Sequence, residues 1–131
     1  CGFARNQAAY NRAEAALFAA LDQVETSLSQ SGPWLCGEQI TLADVRLFPT
    51  LIRWEMVYAP LSGCSERPLW QFPKLWDWRR RLYGQPGVQT SCDAKAWRHD
   101  YFGALFPLNP GGIVPSGPDL TTLICSDISN E

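Results

Sequence analysis

Ala13, Leu17, Leu21, Val24 and Leu28 recur every three or four residues through the segment 8–29, drawing one apolar stripe along a long helix. Such a stripe has to be covered by something. The chain carries no convincing strand, internal repeat or coiled-coil heptad to cover it with, so its partners are other helices. Asp22, Gln23 and Glu25 fall off the stripe, and Ser31-Gly32-Pro33 stops the helix, because glycine tolerates the exit geometry and proline cannot continue it. The expected fold is an all-α bundle.

A second helix begins at Ile40-Thr41-Leu42-Ala43-Asp44-Val45. Thr41 is placed as its N-cap, with a hydroxyl able to accept from an orphan N–H, and Asp44 at the third helical position can return a bond to the cap. Ile40 and Val45 occupy the two positions of a hydrophobic staple. The apolar residues Leu47, Phe48, Leu51 and Ile52 carry the helix toward Met56, and Pro49 in its interior predicts a kink, since it removes a donor and crowds the preceding turn.

Residues 59–71, rich in Pro, Gly and Ser, read as a loop. Phe72-Pro73 then opens a helix whose apolar face is Leu75, Trp78 and Leu82, with Pro73 suited to its first turn. Arg79, Arg80 and Arg81 near its end are expected as a solvated, dipole-complementing terminus rather than an anion site. A short helix is expected over 91–102, with Trp97 and Tyr101 one turn apart. From Phe106 the repeated Pro and Gly predict an extended arm to residue 118, and residues 119–131 read as a polar, disordered tail. One helical domain, 1–118, followed by that tail is the expected organisation.

Composition removes several functions. With 11 basic and 13 acidic residues the chain has a formal charge of -2, which offers no electrostatic footprint for nucleic acid. No apolar run is long enough to cross a bilayer, so no membrane partner is expected. The first residues lack the pattern of a secretory signal, and the absence of an initiator Met suggests a start inside a longer protein. The five cysteines, Cys1, Cys36, Cys64, Cys92 and Cys125, are odd in number and widely spaced, which favours reduced thiols and a cytoplasmic setting. With no CxxC pair and one histidine, His99, no metal site is expected.

Candidate functional residues are few. Tyr58 and Tyr101 each lie near the end of an apolar helix, where a phenol can face a cleft, pack against an aromatic ligand and donate to its oxygen. On composition alone, a core tyrosine with its ring buried and its hydroxyl bonded to backbone is the commoner case for each. Glu55 lies near Tyr58 in sequence, yet one carboxylate beside one phenol is a weak acid–base signature. His99 reads as a surface residue. Cys36 sits in a turn beside Gly37 with no basic neighbour to activate it. There is no serine elbow, no supported Cys/His pair, no paired carboxylates and no phosphate-binding Gly loop. No catalytic residue is expected within this chain.

An ordered series of motifs nevertheless resembles one family. Cys1-Gly2-Phe3-Ala4 with Gln7, Ala8 and Tyr10, the box Thr41-Leu42-Ala43-Asp44, Val45-Arg46-Leu47-Phe48, Thr50-Leu51-Ile52-Arg53, Val57-Tyr58 and Cys64 come in that order. Phe72-Pro73-Lys74-Leu75, the exit from Leu82 to Val88 and the arm from Asn109 to Pro118 complete it. Together they resemble the helical C-terminal domain of the glutathionyl-hydroquinone reductases, which are xi-class, omega-like glutathione S-transferases. The resemblance implies a glutathione S-transferase C-terminal-like bundle and a partner thioredoxin-like N-terminal domain. That second domain would supply the catalytic cysteine and most of the binding surface for glutathione, the co-substrate. The resemblance also implies a homodimer, aromatic hydroquinone conjugates as substrates, and Tyr58 and Tyr101 as residues lining the hydroquinone pocket.

In that family a cysteine thiolate attacks the conjugate sulfur, the hydroquinone departs, and a second glutathione resolves the mixed disulfide. Asp100, Leu61 and Gly63 depart from the family's usual histidine, histidine and lysine. Two other readings fit the chain: an omega-like thiol transferase with a different acceptor, and a non-catalytic helical interaction module or truncated product.

Overall fold

The computed structural model describes residues 1–104 and 107–125; Leu105, Phe106 and the tail residues 126–131 lie outside the described set. The apolar stripe becomes α1, Gln7–Ser31, capped by the Asn6 side chain, which accepts from the Ala9 N–H at 2.8 Å. Phe18, Leu21 and Leu28 are its buried residues. At its exit the Gly32 N–H bonds to the Leu28 carbonyl, and a Cβ on residue 32 would stand 2.4 Å from that oxygen, so only glycine fits.

A turn closed by the Trp34–Gly37 bridge leads to α2, Leu42–Ile52. The capping box at its start is present: the Thr41 side chain accepts from the Asp44 N–H, and the Asp44 side chain accepts from the Thr41 N–H. The staple residues Ile40 and Val45 are exposed, as is Leu42. Pro49 is accommodated inside α2, and regular winding is lost four residues later, at Arg53 (φ −93°, ψ 0°). The chain then makes a π-helical turn, Trp54–Tyr58, and a short α3, Ala59–Ser62, closed by Gly63 in the left-handed region (φ +67°). The segment 59–71 is therefore not wholly a loop: α3 opens it and a 3-10 turn, Leu69–Gln71, ends it.

Next comes α4, Pro73–Tyr83, which packs on both α1 and α2. Its first backbone donors, orphaned by helix geometry, are satisfied from α1: Glu25 accepts from the Lys74 and Leu75 N–H groups at 2.9 and 2.8 Å. Leu75, Trp78 and Leu82 are buried as their spacing predicts, and Trp76 widens the stripe. Arg79 corrects the reading of the arginine run as solvated, because its side chain is 0% exposed. It lies on the core side of α4, one residue from Trp78, and its charge is met by the Leu51 carbonyl of α2 and the Glu55 carboxylate of the turn that follows. Arg81 remains exposed and donates to the Pro33 carbonyl.

A 3-10 turn, Gln89–Ser91, precedes α5, Ala94–Ala104. The arm beyond it has no helix over 107–118 and is pinned to α5. Asn109 Nδ2 donates to the carbonyls of Phe102 (2.6 Å) and Ile113 (3.0 Å), and Arg98 donates to that of Ser116. The expectation of a disordered tail from 119 fails over its first seven residues. Asp119 accepts from the Thr122 N–H at 2.9 Å and opens α6, Leu120–Cys125, which buries Leu120 and Ile124 in the core. The composition there is polar, but an N-cap and two apolar residues four apart suffice to dock one and a half turns.

Candidate functional site

The π-helical turn decides where Tyr58 points. The Arg53 carbonyl accepts from Val57 N at 2.8 Å and from Tyr58 N at 3.4 Å, so the chain passes from regular to wide winding between those two residues. The turn buries Trp54, Met56 and Val57 and leaves Tyr58 half-buried at the rim. Facing it is Tyr101 on α5, one turn beyond Trp97.

Both sequence-predicted tyrosines meet. Their hydroxyl oxygens are 2.7 Å apart, and the rings stand edge to face at 83° with centroids 5.4 Å apart. One phenol donates to the other, and the accepting oxygen polarises its own O–H, making it a stronger donor toward a third group. The bond to Tyr58 and then burial hold the Tyr101 phenol above its ordinary value, while the Arg53 charge opposes them. Arg53 stacks its guanidinium over the Trp97 ring at 4.8 Å, and its buried Nε has no hydrogen-bond partner among the described residues. The sequence reading missed Arg53 and Trp97 as site residues, although the one-turn offset of Trp97 from Tyr101 was a usable signal.

The other sequence candidates lie apart from this pair. Thr41 and Asp44 form a structural node: the fully buried Asp44 accepts from Leu35 N (2.9 Å), Thr41 N (2.8 Å), Thr41 Oγ1 (2.9 Å) and Trp78 Nε1 (2.8 Å). Burial alone would raise its carboxyl, but these donors outweigh burial and hold it below the ordinary value. Glu55 pairs with Arg79 at 2.6 Å rather than with Tyr58. His99 is exposed beside Asp100. Leu61 borders an open depression of about 390 Å³ with Cys1, Arg5 and Tyr10, and the carbonyl of Gly63 accepts from the Tyr10 hydroxyl.

All five cysteines are free; burial pushes the thiols of Cys64 and Cys92 up, which makes both poor nucleophiles. Among the described residues no cluster of His, Cys, Asp and Glu could hold a metal ion, and no helix is long and apolar enough to cross a membrane.

The all-α bundle has its place in a known class: the chain belongs to the family of the glutathione S-transferase C-terminal domain, whose model matches residues 7–81. Within that class it is similar to the glutathionyl-hydroquinone reductase PcpF of Sphingobium chlorophenolicum, with 37% identity over 117 residues, 89% of this chain and 37% of the relative. Its fold matches the glutathione-bound structure of YqjG, a glutathione transferase homologue of Escherichia coli, at a TM-score of 0.84 and 36% identity over 91% of this chain and 39% of that one. A glutathione transferase of Gordonia bronchialis matches at 0.88 and 40% identity, covering 95% and 38%. The chain thus spans little more than a third of the length of these relatives.

Proposed function

We propose that this chain is the acceptor-binding half of a glutathione-dependent reductase that removes glutathione from glutathionyl-hydroquinones. The Tyr58–Tyr101 hydroxyl contact carries the reading. Two phenols hydrogen-bonded to each other, bordered by Trp97 and the Arg53 cation, offer an aromatic ligand an apolar edge and one polarised O–H donor. The conjugate reacts as its keto tautomer, with a phenolic proton moved to the sulfur-bearing ring carbon. Thiolate attack on the sulfur then forms an S–S bond, breaks the C–S bond and sends its electron pair through the ring to the oxygen, restoring the aromatic ring as a phenolate. A donor fixed on the ring oxygen stabilises the charge that develops there. The thiolate, and the main surface for glutathione as co-substrate, come in this proposal from a thioredoxin-like domain joined to the chain. The exposed Ile40, Leu42 and Val45 offer an apolar patch for such a domain.

The test is a complete enzyme built by exchanging this chain for the matching domain of the E. coli relative YqjG. Tyr58→Phe and Tyr101→Phe are each expected to lower kcat/KM on a glutathionyl-hydroquinone by roughly tenfold, the equivalent of one hydrogen bond. Unchanged kinetics in both variants would remove the assignment. Equal or faster turnover of simple mixed disulfides would favour an omega-like thiol transferase instead.

A further inference from the structure

Arg79 is a fully buried cation in the middle of the bundle, and its two good contacts converge on one place. Its Nη1 donates to the Leu51 carbonyl at 3.0 Å, in the last turn of α2, and to Glu55 Oε2 at 2.6 Å, in the π-helical turn. Those acceptors lie on either side of Arg53, where the winding changes. Its guanidinium lies over the Trp76 ring, with its central carbon 4.3 Å from the ring centroid.

Stability alone does not account for this arrangement. A buried ion pair is commonly no more stabilising than apolar side chains of similar volume. Here Arg79 Nε, Arg79 Nη2 and Glu55 Oε1 also have no partner among the described residues. The buried charge is thus incompletely satisfied, while its satisfied contacts grip the chain just before and within one irregular turn. Tyr58 is the last residue of that turn, three beyond Glu55.

We infer that Arg79 is a positioning residue: by holding the Leu51 carbonyl and the Glu55 carboxylate together it fixes the wide turn that sets the Tyr58 hydroxyl against that of Tyr101. Its bearing on turnover rests on the proposed role of the tyrosine pair; the geometric effect does not.

The experiment follows the titration of Tyr101 by NMR in the 131-residue chain carrying ¹³C-labelled tyrosine. Tyr101→Phe assigns the signal, and Tyr58→Phe gives the reference in which the hydroxyl contact is gone. Arg79→Met is expected to lower the Tyr101 midpoint to that of Tyr58→Phe while the Trp78 indole N–H signal, bonded to Asp44, stays in place. A wild-type Tyr101 titration in folded Arg79→Met would overturn the inference. Should the lone carboxylate of Glu55 prevent that variant from folding, Arg79→Met with Glu55→Met removes it and is read in the same way. A lowered midpoint with intact turnover in the complete enzyme would leave this inference standing and overturn the catalytic reading. An unmoved midpoint overturns this inference whatever the turnover.

Discussion

Trp78 Nε1 stands 2.8 Å from Asp44 Oδ1, a bond that ties the middle of α4 to the first turn of α2. The same carboxylate takes the Leu35 and Thr41 N–H groups, so one residue joins the turn after α1, the start of α2 and the core face of α4. Asp44→Ala leaves these buried donors unpaired and is expected to cost about 3 kcal/mol in urea unfolding.

The pH dependence of that node has a definite sign. Because Asp44 is held below its ordinary value in the fold, its contribution is present above the unfolded carboxyl value of about 3.9 and is lost as pH falls through the lower folded value. The stability gap between the wild-type chain and Asp44→Asn is expected to be flat near neutrality and to shrink only below about pH 4. A gap that closed near neutral pH would show that another group controls it.

Glu25 acts on a helix other than its own. Its two oxygens accept from the first free amides of α4, a capping role at a distance of about fifty residues in sequence. Glu25→Ala is expected to cost about 1 kcal/mol, and Glu25→Gln less, since an amide oxygen can still accept. Equal losses for the two variants would mean that the charge, not the acceptor, carries the effect.

Docking of α6 is testable by truncating its two buried side chains. Leu120→Ala and Ile124→Ala are each expected to cost about 2 kcal/mol, the lower range for a buried aliphatic residue. Thermal melts that match the wild type in both variants would return residues 119–125 to the status of a tail.

Tyr101 supplies the alkaline counterpart. Its phenol is raised in the fold, first by the bond to Tyr58. Its contribution is therefore present below the unfolded phenol value of about 10 and lost as pH rises through the higher folded value. The stability difference between the wild-type chain and Tyr58→Phe is expected to narrow only on that alkaline side, as read from denaturant midpoints.

What the sequence determined by itself was local. The stripe on α1, the Ser-Gly-Pro stop, the Thr41–Asp44 box, Pro73 at a first turn and the one-turn offset of Trp97 and Tyr101 are all set by residues within a few positions of each other. Periodicity and capping chemistry read such relationships directly. The all-α class followed, since one-sided helices without strands can cover only one another. Tertiary structure decided the rest. Arg79 is indistinguishable from its arginine neighbours until α4 is rotated against α2, because burial is a property of a face in contact and not of a residue in a run. The π-helical turn leaves no mark in the sequence, as its wide winding is held by a side chain from another helix. Tyr58 and Tyr101 became a pair, and α6 became part of the core, only when segments distant in sequence packed together, because long-range packing sets the final position of each side chain.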